Sequence, residues 1–309
     1  MNEPTILDLM NDQRLLGRFF KGDSWLGWRS FLAALFALPL SDEAKALALR
    51  HTGRSVLPTA PCREAWACCG RRAGKSIVAA LIVTYLALFC DYRPYLAPGE
   101  LATVMLLACD KRQARTVLRY VKGFIAEIPA LTAMVTRETR EGLEFANRSV
   151  IEIHSISYRR TRGYSLAAAI LEEQAFWNSD EFASEPDSEV IASLLPALAT
   201  IPSSLLLGIS SPHGRDGAFW TAHEANWAND ASPALFWNAD SHTMNPRLDQ
   251  RIIAASFERD PSVAASEYGS DGFVSFRSDL EKLFTLELLD AITDYDRPLI
   301  LPYQKEEVA

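Results

Sequence analysis

Apolar residues follow two different patterns along this chain. Ile6–Phe20, Trp28–Leu38 and Glu43–His51 read as amphipathic helices. Pro39 stops the second, because proline lacks the backbone donor that a helix interior needs. Ser41 is placed to cap the third. Thr52–Pro61 is a loop rich in Pro, Gly and Thr. From residue 65 the pattern changes. Ala65–Cys69, Leu101–Ala108, Leu166–Leu171 and Ser204–Ile209 are short, uninterrupted apolar runs, and helical patterns at Ile77–Cys90, Asp110–Ile128 and Val190–Leu195 alternate with them. Such strands are buried on both sides, so the alternation predicts an α/β fold with a mostly parallel sheet between two helical layers. Gly142–Phe145 and Val150–His154 flank Ala146-Asn147-Arg148 and predict a hairpin. After residue 240 the pattern gives helices at Pro246–Glu258, Ser262–Tyr268 and Thr285–Thr293. The expected organisation is an N-terminal helical segment (1–50), an α/β core (51–240) and a small acidic helical subdomain (241–309).

The composition supports a globular, intracellular protein. Of 309 residues, 49% are hydrophobic and 23% charged, too apolar for a disordered chain. Ile77–Cys90 is too short for an ordinary membrane span. Val190–Gly214 is longer but is broken by Pro196, Pro202 and Pro212. No signal-peptide pattern opens the chain. The five cysteines include an adjacent pair, Cys68 and Cys69, and lack metal-finger spacing, so neither a disulfide framework nor a cysteine metal site is expected. The net charge of −8 is unevenly distributed: +1 over residues 1–62, +7 over 63–171 and −16 over 172–309. A basic middle third invites a phosphate-bearing partner.

The densest chemistry lies at Gly70-Arg71-Arg72-Ala73-Gly74-Lys75-Ser76, between a predicted strand and a predicted helix. Glycines there let backbone amides approach phosphates, and the helix N-terminus adds positive potential. Lys75 is suited to the β- and γ-phosphates of ATP and the Ser76 hydroxyl to Mg²⁺. An arginine at 71 or 72 suits bidentate phosphate contact. The usual pattern places its first glycine where Cys69 stands; here glycine follows one residue later.

A second strand, Leu166–Leu171, ends in Glu172-Glu173. Laid beside the phosphate-loop strand, it would offer Glu172 to the metal and Glu173 to the attacking water. Glutamate at the metal position is longer by one methylene than the more usual aspartate. A third strand runs into Ser210-Ser211-Pro212, whose hydroxyls are placed to sense a phosphate. Arg159, Arg160 and Arg162 precede the acidic strand and are candidates for a finger reaching a neighbouring subunit's γ-phosphate.

Together with Asp110-Lys-Arg-Gln-Ala-Arg115, Arg162-Gly163, Glu172-Glu-Gln-Ala-Phe-Trp177 and Gly208-Ile-Ser-Ser-Pro-His-Gly214, this chain resembles the large terminase subunit of tailed bacteriophages over roughly residues 50–225. The resemblance implies a P-loop ATPase of the RecA-like, additional-strand, catalytic-glutamate class. Lys75 and Ser76 match the Walker A positions, Arg71 or Arg72 the loop arginine, Glu173 the catalytic glutamate, Arg162 the trans-acting finger, and Ser210 and Ser211 the coupling motif. It also implies a motor that drives double-stranded DNA into a procapsid in the host cytoplasm, as a ring, commonly a pentamer, and as a monomer in isolation. Its partners would be the portal protein and the small terminase subunit, and no membrane. Members of the family carry a C-terminal nuclease. Residues 240–309 show no matching carboxylate cluster, so DNA cleavage is not expected. The alternative is a nucleotide-binding docking or assembly subunit that hydrolyses little.

Overall fold

The chain enters through three helices. The Thr5 hydroxyl accepts the Asp8 amide while the Asp8 carboxylate takes the Thr5 amide, a reciprocal cap that starts α1 (Ile6–Asn11). The helix expected to run to Phe20 stops early, and the 3-10 turns Gly17–Phe19 and Asp23–Trp25 lead into α2 (Leu26–Leu35). Ser41 caps α3 (Asp42–Thr52) by accepting the Ala44 amide, and Gly53 closes it with left-handed backbone, φ 66°. This computed structural model describes residues 4–156, 163–179 and 186–278.

The core then builds strand by strand. β1 (Glu64–Cys69) leads to the loop at 70–74 and to α4 (Lys75–Phe89), which is apolar nearly all round and correspondingly buried. β2 (Ala102–Ala108) is followed by α5 (Lys111–Ala126), short α6 (Pro129–Thr132), β3 (Val135–Glu138), β4 (Gly142–Phe145), β5 (Ser149–Ser155) and β6 (Ser165–Glu172). A 3-10 turn at Gln174–Ser179 precedes α7 (Asp187–Leu198), β7 (Leu205–Ser210), α8 (Gly217–Asn226) and β8 (Leu235–Ala239). Short α9 (Ser241–Met244), α10 (Gln250–Arg259) and α11 (Pro261–Glu267) follow. β3, β8 and α8 were not among the expected elements. The helix expected at Thr285–Thr293 lies outside the described residues.

The eight strands form one sheet in the order β3-β4-β5-β2-β6-β7-β1-β8. From β5 to β8 all neighbours are parallel, and β3 and β4 add an antiparallel ribbon, with the expected hairpin between β4 and β5. One expectation is corrected: the acidic strand β6 does not lie beside β1, because β7 pairs with both. The register puts Gly208 of β7 opposite Trp66 of β1. A Cβ on Gly208 would stand 2.3 Å from the Trp66 ring, so glycine makes room for the indole and lets β7 fill that place.

The two faces have separate cores. Ala65, Ala67 and Cys69 face the side packed by α1, α2 and α4, while Trp66 and Cys68 face the side packed by α7 and α8. The described residues up to Arg277 form one compact unit. Ile6, Leu9 and Trp28 enter the same core as α4. At the other end, the Asn238 side chain exchanges two hydrogen bonds with the Val274 backbone (3.1 and 2.9 Å), and the Asp240 amide donates to the Gly272 carbonyl (2.9 Å). These bonds lay residues 272–274 along β8 and cover the sheet edge. None of the five cysteines is in a disulfide, and burial pushes the Cys69 thiol up to about 12. Among the described residues no helix is long and apolar enough to cross a membrane.

Candidate functional site

β1, β6 and β7 run parallel, so the loop at 70–74, Glu173 and Ser211 all follow the carboxyl ends of neighbouring strands, at one end of the sheet. Gly74, at φ 92°, caps α4 in a conformation that favours glycine, and Arg72 adopts φ 64°. Three successive loop carbonyls are tied from outside. Arg71 O accepts the Ser241 hydroxyl at 2.6 Å, Arg72 O the Asn245 amide at 2.9 Å, and Ala73 O the buried Trp28 indole at 2.7 Å. The N-terminal helices and α9 thus hold the loop's shape. Gly70 sits so close to Ser241 that a Cβ would stand 2.2 Å from its hydroxyl.

Lys75, the first residue of α4, is 7% exposed. Its ammonium donates to the Ser211 hydroxyl (2.7 Å) and to the carbonyls of Cys69 (3.2 Å) and Gly70 (3.3 Å), and lies 3.8 Å from the Glu173 carboxylate. Glu173 has left-handed backbone, φ 48°, an unusual conformation for a side chain of this size. Its amide donates to Ile209 O (2.9 Å), and its Oε2 accepts from the Ser210 hydroxyl (3.3 Å) and the Ser211 amide (3.4 Å). The phosphate-loop lysine, the second glutamate and both serines therefore meet in one place.

Glu172 is 4% exposed, and its Oε1 has no hydrogen-bond partner among the described residues. Strand alternation puts its side chain on the face of Ile170, the side of the sheet where α4 packs. Burial, reinforced by the Glu173 charge and opposed by Lys75, pushes its carboxyl up to about 8. A buried carboxylate oxygen without a donor fits a cation. Ser76 is the second residue of α4.

Of the two loop arginines, either of which is a candidate for a phosphate contact, Arg71 gives both its amide and its guanidinium to Glu267 of α11. A carboxylate within reach of the loop thus takes one of the guanidinium's donors. Arg72 is exposed. Arg159, Arg160 and Arg162 lie outside the described residues. A cavity of about 580 Å³, with Arg71, Glu173, Ser211, Glu267 and Arg277 in its walls, opens beside the site. The sequence reading misses Trp28, Ser241 and Asn245, which lie far from the motif in the chain and carry no pattern of their own; Glu267 falls in Glu267-Tyr268-Gly269, where the family resemblance continues more weakly, but its pairing with Arg71 is not legible there.

A parallel sheet with a phosphate loop after one strand, twin glutamates after another and a further strand between them is a P-loop NTPase fold of the RecA-like, additional-strand class. No protein-family model matches the sequence, and no curated protein matches it. Among solved structures, this fold is that of phage large-terminase ATPase domains. The Thermus phage P74-26 large-terminase ATPase domain aligns at a TM-score of 0.50 and 17% identity, over 76% of this chain and 98% of that one. The large terminase of bacteriophage HK97 aligns at 0.52 and 16%, over 75% of this chain. The match spans about half the HK97 protein's length, 51%.

Proposed function

We propose that this chain is the ATP-hydrolysing motor portion of a viral large terminase. The observation that carries the reading is the 3.8 Å approach of Lys75 to Glu173, across the gap between the phosphate loop and the end of β6. The shared fold supports it.

In this reading the triphosphate of ATP lies on residues 70–76. Lys75 exchanges its contacts with the Cys69 and Gly70 carbonyls for phosphate oxygens. Ser76 and Glu172 are the residues that would hold Mg²⁺, whose chemistry is to neutralise phosphate charge. Glu173 orients a water and takes its proton as the water oxygen bonds to the γ-phosphorus. The bond from that phosphorus to the β–γ bridging oxygen breaks, and ADP leaves with the electron pair. Ser210 and Ser211 both donate to Glu173, and the Ser211 hydroxyl also accepts from Lys75, so loss of the γ-phosphate changes their contacts. Arg162 of a neighbouring copy completes the site in a ring. The cargo is double-stranded DNA, the docking partners are the portal protein and the small terminase subunit, and the setting is the host cytoplasm.

Phosphate release at a series of protein concentrations tests this. Specific activity should rise with concentration, as copies assemble, and vanish in Lys75→Ala. ATP binding without turnover at any concentration, with DNA present, would instead support a docking or assembly subunit.

A further inference from the structure

The turn that carries Glu173 continues into Gln174, which is wholly buried. The Gln174 Nε2 donates 3.0 Å to Oδ2 of Asp187, the first residue of α7. Asp187 is itself 5% exposed. The same carboxylate oxygen accepts the Ala218 amide, in the first turn of α8, at 2.7 Å. One oxygen thus joins the glutamate turn to the starts of two helices. Gln174 Oε1 has no partner among the described residues, so the bond to Asp187 is the one that orients this amide. The neighbouring backbone is held by separate bonds: Glu172 O accepts the Trp177 indole at 3.0 Å, and the Glu173 amide reaches Ile209. Between these anchors, Glu173 keeps a left-handed backbone that its own side chain disfavours.

We infer that Asp187 is a positioning residue for Glu173, acting through Gln174 to hold the strained turn and linking that turn to α8. The inference rests on Glu173 being the base that activates water. A carboxylate at a helix start also stabilises that helix electrostatically. A role confined to helix stability would lower folding stability without changing turnover per folded molecule. A positioning role instead lowers kcat and leaves nucleotide binding intact, because Lys75 and the phosphate loop are held by other residues.

The experiment compares the full chain with Asp187→Ala, Gln174→Ala and the double variant. It measures kcat for ATP, affinity for a non-hydrolysable ATP analogue, and the folded fraction by circular dichroism. A misplaced base typically costs about 10–100-fold in rate, so each single variant should lose that much kcat with analogue affinity within about twofold. The double variant should lose no more than Asp187→Ala alone, because both substitutions break one connection. Asp187→Asn keeps an acceptor oxygen and should recover most of the rate. If Asp187→Ala does not fold, the Gln174→Ala and Asp187→Asn pair carries the same comparison. Wild-type kcat in Gln174→Ala and Asp187→Ala, losses that multiply in the double variant, or losses that only track the folded fraction would overturn the inference. Full turnover in Glu173→Gln would overturn the functional reading beneath it instead.

Discussion

The Lys75 ammonium and the Glu173 carboxylate face each other at 3.8 Å, with the Ser211 hydroxyl 2.7 Å from the same ammonium. In the proposed reading, these are the phosphate-binding cation and the water-activating carboxylate. Glu173→Gln keeps the shape of the side chain and removes its charge and basicity. It should still bind ATP while losing about 10²–10⁴-fold in turnover. Single-turnover phosphate release alongside nucleotide titration separates the two effects.

The buried Glu172 carboxyl sets a pH dependence of stability in metal-free protein. Its folded-state pKa is raised from 4.5 to about 8, so between those values the folded chain holds a proton that the unfolded chain has released. Stability therefore falls as pH rises through that window, by up to about 1.4 kcal/mol per pH unit for one proton. Glu172→Gln, which mimics the protonated form, should melt above wild type at pH 8 and converge with it near pH 5. Thermal unfolding of both proteins across that range checks the sign. A wild-type melting temperature that rises relative to Glu172→Gln would contradict it.

The insertion of β7 beside β1 depends on a missing side chain. Gly208→Ala would push a methyl to 2.3 Å from the Trp66 ring and should cost about 1–3 kcal/mol by overpacking. In a Trp66→Leu background the same substitution should cost less, because the ring it strikes is gone. Urea unfolding of the four proteins measures the coupling.

Trp28 connects the N-terminal helices to the phosphate loop. Trp28→Phe keeps most of the buried ring but removes the 2.7 Å bond to Ala73 O. It should cost about 1–2 kcal/mol of stability. Its kinetic mark should be a raised KM for ATP with kcat nearly unchanged, since the loop binds substrate but does not activate water. A fall in kcat alone would count against this role.

These cases divide what the sequence makes legible from what it hides. A strand, Gly74-Lys75-Ser76 and a helix are contiguous, so the loop and its lysine can be read directly, as can Ser41 as a cap and the hairpin around Asn147. Ser210 and Ser211 are also readable, because an apolar strand leads straight to them. Strand order is not, because it depends on fits such as Gly208 against Trp66, which come from distant parts of the chain. Short β3, Val-Thr-Arg-Glu, has no apolar run to mark it as a strand. Gln174 is adjacent to the glutamates, but its importance comes from Asp187, thirteen residues on. Arg71 is a candidate for phosphate in the sequence, and only the fold pairs it with Glu267.

The central claim is that a triphosphate seats where residues 70–76 meet α4. Calorimetric titration of ATP with Mg²⁺ into wild-type protein and into Lys75→Ala tests it most directly. The account predicts one site per chain in wild type and an affinity at least about 100-fold weaker in the variant, a difference of about 2.7 kcal/mol. Equal affinity in the two proteins, or no binding to either, would contradict it.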